Sequence, residues 1–136
     1  MGIAWNDSLS TGVAEIDAQH KDFIKLIQRL QILHDKNGSK EFIHRILLEL
    51  AKYAEYHFIS EENLMLLFKY PLLTQHQEQH QMLLRSVKYK LEAYENGSLS
   101  LGEVIAFLSD WLLNHTTKED RKIGDYLRSQ AEDTGH

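Results

Sequence analysis

Six side chains able to bind a metal ion recur at intervals that suit the inner faces of helices: His20, His57, Glu61, His76, His80 and His115. The stretch LLTQHQEQH, residues 72–80, poses the question most directly, because His76 and His80 are four apart and share one helical face. Turned to solvent, two such imidazoles need no explanation. Turned inward, something must satisfy them. A lone inward histidine is more often a core residue bonded to a neighbour than a ligand. Several at one level are a different matter. Each neutral ring has one donor and one acceptor, so five imidazoles cannot readily satisfy one another. An unpaired buried polar group costs about 1–3 kcal/mol. A metal site removes the conflict.

Whether they do lie at one level depends on the elements that carry them. Asn37-Gly38 reads as a helix end with Ser39 as the next N-cap, Pro71 closes the following segment, and Asn96-Gly97 closes the one after. Thr74 with Gln77, and Ser100 with Glu103, fit capping boxes. The spacing predicts helices over 13–36, 40–69, 75–95 and 101–115, a short C-terminal helix to about 130, and an extended arm over 1–12 that Trp5 can pin. Short connections make neighbouring helices antiparallel. The expected fold is all-α: an up-down-up-down four-helix bundle, one domain over 1–136, with the bundle over 13–115 and a tail over 116–136.

The apolar seams of the helices run through Ile16, His20, Phe23, Ile27 and Leu30; through Leu50, Ala54, His57, Glu61, Leu64 and Phe68; through His76, His80, Leu83 and Val87; and through Leu101, Val104, Leu108, Leu112 and His115. With the helices alternating in direction, all six metal-binding candidates fall at the same end. His34 is fourteen residues beyond His20, roughly 21 Å away at about 1.5 Å per residue. It reads as a surface or bundle-end residue, as do His44 and His136.

Five imidazoles and a carboxylate exceed what one closed zinc site takes. Two metals need a bridge, for which Glu61 is one candidate and Asp120, in HTTKED, a second. Asp120 is five residues beyond His115, so on a regular helix it lies about 140° away. If both reach the metals, the helix must bulge or break near Thr116-Thr117; otherwise Asp120 belongs to the solvated run KEDRK. Glu62 reads as a solvated neighbour of Glu61. Nitrogen-rich ligation with carboxylates suits iron better than calcium or magnesium, with manganese and zinc left open.

Composition is that of a soluble globule, 43% hydrophobic and 26% charged, with net charge −5 and no Lys/Arg run, which argues against nucleic acid or an anionic membrane as partner. The absence of cysteine excludes iron–sulfur clusters and thiolate zinc. No signal peptide or membrane span is visible, so a cytoplasmic protein is expected, and the lack of an evident apolar outer stripe favours a monomer.

His20, HFISEENLM from His57 to Met65, HQEQH, and WLLNHTTKED together resemble the hemerythrins, particularly their single-domain bacterial form; STGVAEIDAQH and GDYL (124–127) look like the family as well. The resemblance implies two iron ions (Fe2+/Fe3+) with a bridging oxo or hydroxo group. His76, His80 and His115 would bind one iron, His20 and His57 the other, and Glu61 and Asp120 would bridge both. The second iron is then five-coordinate, and O2 would bind there end-on as a hydroperoxide, reversibly, for storage, delivery or sensing. Phe23, Trp111 and Leu112 would line the O2 pocket. Where the family usually has an aliphatic residue after the last histidine, this chain has Thr116. Its hydroxyl could contact bound O2 or admit water, or merely bond back to a helix carbonyl. O2 binding rather than enzymatic turnover is the expectation. A di-iron enzyme reducing peroxide or nitric oxide, and a sensing module acting through a partner protein, are the competing classes.

Overall fold

The computed structural model describes residues 2–134, apart from the side chains at 115 and 131–134. Five α-helices follow one another: α1 (Ala14–Asp35), α2 (Lys40–Leu67), α3 (Leu73–Glu95), α4 (Leu101–Asp110) and α5 (Thr117–Thr134). A π-helical stretch, Trp111–Thr116, joins α4 to α5 without a break. α1 packs on α2 and α4, and α3 on α2 and α4, which closes a ring of four around one core. No helix is long and apolar enough to cross a membrane.

The chain reverses where short-range chemistry dictates. Asn37 takes a left-handed φ of 51°, and the Gly38 N–H donates to the Leu33 carbonyl at 2.7 Å. Gly97, at φ 84°, ends α3, with the Ser98 N–H donating to the Ala93 carbonyl at 2.8 Å. Ser39 accepts from the Phe42 N–H, and Ser100 accepts from the Glu103 N–H while donating to its carboxylate at 3.2 Å. The box expected at Thr74 does not form. α3 starts at Leu73, with Leu72 at the N-cap and no side-chain cap bond. Pro71 has fixed φ, and the Leu73 N–H already bonds the Tyr70 carbonyl at 3.3 Å, so the chain is turning into the helix before Thr74 is reached.

The arm carries a 3-10 turn at Asp7–Leu9, capped by Asn6 and flanked by extended Asn6 and Ser10, and it bends at Gly12, whose φ is 82°. Ile3, Trp5 and Leu9 pack on the main core, and the Lys21 ammonium sits 4.9 Å from the Trp5 ring. Asp17 ties the arm to α1 by accepting from the Thr11 N–H at 2.8 Å and the Ser10 hydroxyl at 2.6 Å. Burial works to raise its pKa, but these bonds prevail and lower it.

Two apolar clusters divide the interior. The larger includes Phe23, Ile27, Leu30, Leu50, Phe58, Val104, Leu108, Trp111 and Leu112. The smaller holds Ile16, Met65, Tyr70, Ile123 and Leu127. In α2 the seam steps from Glu61 to Met65, which is fully buried, rather than to Leu64, which is half-buried. A four-residue step keeps Met65 nearer the line of Glu61 than the three-residue step would. His34 and His44 are exposed, as expected, and His136 lies outside the described residues. α2 also exposes Leu48, Ile59 and Leu66 on one outer line, a feature that the sequence reading did not single out.

Candidate metal centre

The polar residues occupy the layer between those two clusters. In α1, His20 lies between Ile16 of the smaller cluster and Phe23 of the larger; in α2, His57 and Glu61 lie between Ala54 and Met65. α3 contributes His76 and His80 from its first two turns, and α5 contributes Asp120 one turn before Ile123. Every one of these six is buried.

Asp120 reaches this layer because of the π-helical stretch. A π turn closes i→i+5 bonds and so takes in more residues than an α turn. The 111–116 stretch therefore shifts the phase of α5 relative to the Leu108–Leu112 seam of α4, from which Asp120 would stand about 80° away on a regular helix. The anticipated irregularity is present, placed slightly earlier than Thr116-Thr117. Asp120 is core, not part of a solvated charged run.

Two triplets can each hold a cation, their ligand atoms lying within 4.8 Å of one another: His20, His57 and Asp120; and Glu61, His80 and Asp120. Asp120 belongs to both. Its Oδ2 lies 2.6 Å from His20 Nε2 and 3.0 Å from His57 Nε2. His80 Nε2 lies 3.0 Å from Glu61 Oε1, and His57 Nε2 lies 3.6 Å from Glu61 Oε2. His76 is buried beside Tyr70, its ring centroid 6.2 Å from that of His80, and it belongs to neither triplet. The backbone of His115 is in the π stretch; its side chain lies outside the described residues.

The electrostatics fit cations. Burial drives the Glu61 carboxyl well above its ordinary pKa, and the neighbouring Asp120 charge adds to the effect. Burial acts on Asp120 too, but the bonds from His20 and His57 outweigh it and hold its pKa low. One carboxylate keeps its charge and the other tends to a proton, since two like charges in one dry layer repel. Cations between them would let both ionise. Burial also lowers the pKa of His57 and, with help from His80, that of His76, favouring the neutral imidazole that binds metals. Among the described residues, Glu61 Oε2, His20 Nδ1 and His76 Nδ1 are buried without a hydrogen-bond partner, an arrangement that costs about 1–3 kcal/mol per group in an apolar core.

Phe23, Trp111 and Leu112 are all at least 98% buried at the inner edge of the layer. Phe23 meets His57 edge-on at 5.8 Å and Trp111 at 5.5 Å. Thr116 is buried, and its hydroxyl has no partner among the described residues. It does not bond back to the helix; Thr117 does, donating to the Leu113 carbonyl at 2.8 Å.

Two participants escaped the sequence reading. Gln19 is buried, accepts from His57 Nδ1 at 2.6 Å through Oε1, and donates to Ser60 Oγ at 2.9 Å. Its place in the track Gln19, Phe23, Leu26, Leu30, at steps of four, three and four, was the available signal. Glu62, read as solvated, instead accepts from His80 Nδ1 at 2.7 Å and is only 22% exposed. Its outward position on α2 faces α3, and nothing in the α2 sequence marks that contact.

Comparison with known proteins agrees with this arrangement. The family model "Hemerythrin HHE cation binding domain" matches residues 11–127. The bacteriohemerythrin of Pseudomonas aeruginosa (strain LESB58) is 33% identical over 128 residues, covering 93% of this chain and 82% of that protein. That of Clostridium acetobutylicum is 25% identical over 127 residues, covering 89% and 98%. A crystal structure of a hemerythrin leucine-to-alanine mutant superposes with a TM-score of 0.80 at 27% identity, covering 93% of this chain and 98% of the other.

Proposed function

Because the chain belongs to the hemerythrin family, we propose that it binds O2 reversibly at a non-haem di-iron centre, without turnover, for storage, delivery or sensing. The supporting observation is the dry layer in which His20, His57, His80, Glu61 and Asp120 meet with polar atoms left over. In this reading His20 and His57 would hold one iron and His76, His80 and His115 the other, with Glu61 and Asp120 shared between the two and an oxo or hydroxo group completing the centre. Two irons so held would lend O2 a pair of electrons and recover them on its release. Residues 1–136 act as a single domain of the cytoplasm.

The chain itself supplies shape, dryness and one donor. Phe23, Trp111 and Leu112 are buried at the edge of the layer and keep bulk water, and the protons it carries, away from it. Thr116 offers a buried hydroxyl with no partner among the described residues. A hydroxyl there donates to a bound anion more readily than an aliphatic side chain does, and it also eases protonation and release of that anion. The experiment is O2 uptake by the anaerobically reduced protein with an O2 electrode. One O2 taken up per iron pair and returned under argon supports binding; sustained consumption of O2 or peroxide with an electron donor replaces it with an enzyme.

A further inference from the structure

Among the described residues, two hydrogen bonds orient imidazoles from outside the metal layer, and they end on unlike partners. His80 Nδ1–H donates to a carboxylate, Glu62 Oε2, at 2.7 Å; His57 Nδ1–H donates to an amide, Gln19 Oε1, at 2.6 Å. We propose that Glu62 and Gln19 are positioning residues that make the two halves of the cage electronically unequal, with His80 the stronger donor. The proposal rests on the metal-binding reading above.

Each partner is built so that it can act in only one way. The amide of Gln19 is committed: its Nε2 donates to Ser60 Oγ at 2.9 Å, and that hydroxyl donates to Glu15 at 3.3 Å. Only the carbonyl oxygen of Gln19 is left to face His57, which fixes the proton on Nδ1 and leaves Nε2 free for a cation. Gln19 brings no charge. The His80 ring is clamped more firmly. Its face stacks on Phe58 at 4.2 Å and 11°, and its two nitrogens are held by Glu61 at 3.0 Å and Glu62 at 2.7 Å. Glu62 lies in the wall of an open cavity of about 510 Å³ between α2 and α3, shared with Phe58, Gln77 and Lys88.

A carboxylate drawing on Nδ1–H pushes electron density towards Nε2 and raises its basicity as a ligand more than a neutral amide does. The cation beside His80 is therefore the one whose higher oxidation state is favoured. Among the described residues, His20 and His76 have no such partner on Nδ1, so of the described imidazoles only His57 and His80 carry this kind of contact.

The test titrates Fe(II) anaerobically into metal-free wild type, Glu62→Ala, Glu62→Gln and Glu55→Gln, against a chelator, and then measures the reduction potential of each loaded protein. Glu55 borders the same cavity but pairs with Lys88 at 3.2 Å, so it controls for loss of charge. Glu62→Ala is expected to bind iron about 10–100-fold more weakly. Glu62→Gln keeps an acceptor without charge; it is expected to hold affinity within a few-fold while its potential rises. Glu55→Gln should match wild type in both. Alanine binding as tightly as wild type, glutamine as weakly as alanine, a glutamine potential that does not move, or an equal effect from Glu55→Gln overturns the proposal. If wild type itself takes up no iron, the metal-binding reading falls, a different result from any of these.

Discussion

The Thr116 hydroxyl is the residue on which this site's behaviour should most depart from one walled by hydrocarbon. It is buried, unpartnered among the described residues, and not engaged by its own helix. A hydrogen bond worth about 1 kcal/mol in a transition state changes a rate roughly fivefold. Thr116→Ile is therefore expected to lengthen the autoxidation half-life of the O2-bound protein by about that factor; equal half-lives would remove Thr116 from the account. At this scale the sequence was informative where chemistry and periodicity coincide. The buried placement of His20, His57, Glu61, His76 and His80 was legible because each replaces an apolar residue on an otherwise regular seam, and seams can be read from one helix at a time. Gln19 and Glu62 were not singled out. Their roles depend on contacts with α2 and α3 respectively, and the register between helices is not written in either one.

Among the elements, the π-helical stretch and α5 do the unusual work. That the helix must be irregular for Asp120 to join the layer was legible from phase; the position, 111–116 rather than near Thr116-Thr117, was not, because WLLNHT contains no proline or glycine to mark it. α5 is held in place at several points. Arg121 donates to the Ser8 carbonyl, Arg128 to the Thr11 carbonyl, and the Tyr126 hydroxyl to the Phe68 and Lys69 carbonyls at 3.2 and 3.1 Å. Gly124, one turn beyond Asp120, allows a close approach of the backbone: a Cβ there would stand 2.5 Å from the Thr11 carbonyl oxygen and 3.1 Å from the Thr11 Cβ. Thr11 cannot easily give, since Asp17 binds its N–H and its hydroxyl, each at 2.8 Å. Gly124→Ala should force α5 outward and cost about 1–3 kcal/mol, read as a lower urea midpoint, and should weaken iron uptake by moving Asp120. An unchanged midpoint and unchanged uptake would show that the arm is not a fixed wall.

For the molecule as a whole, the polar layer is a weakness that a ligand can repair. The bundle and its reversals were legible because Asn37-Gly38, Ser39, Pro71, Asn96-Gly97 and Ser100 act locally. The division of the core into two clusters was not, because Ile16, Met65, Tyr70, Ile123 and Leu127 are brought together only by tertiary packing. Between those clusters, paired carboxylates and unpartnered imidazole nitrogens oppose folding until cations satisfy them. A ligand at a hundred times its dissociation constant stabilises the folded state by about 2.7 kcal/mol, so stripping the metal with a chelator should lower Tm by several degrees. An unchanged Tm would mean that the layer gains nothing from a metal. The most direct measurement is an anaerobic titration of Fe(II) into the metal-free protein, followed by visible spectra as O2 is admitted and withdrawn. The account predicts an endpoint at two irons per chain and an absorption change that comes and goes with O2. An endpoint at one iron or none, or a spectrum indifferent to O2, would contradict it.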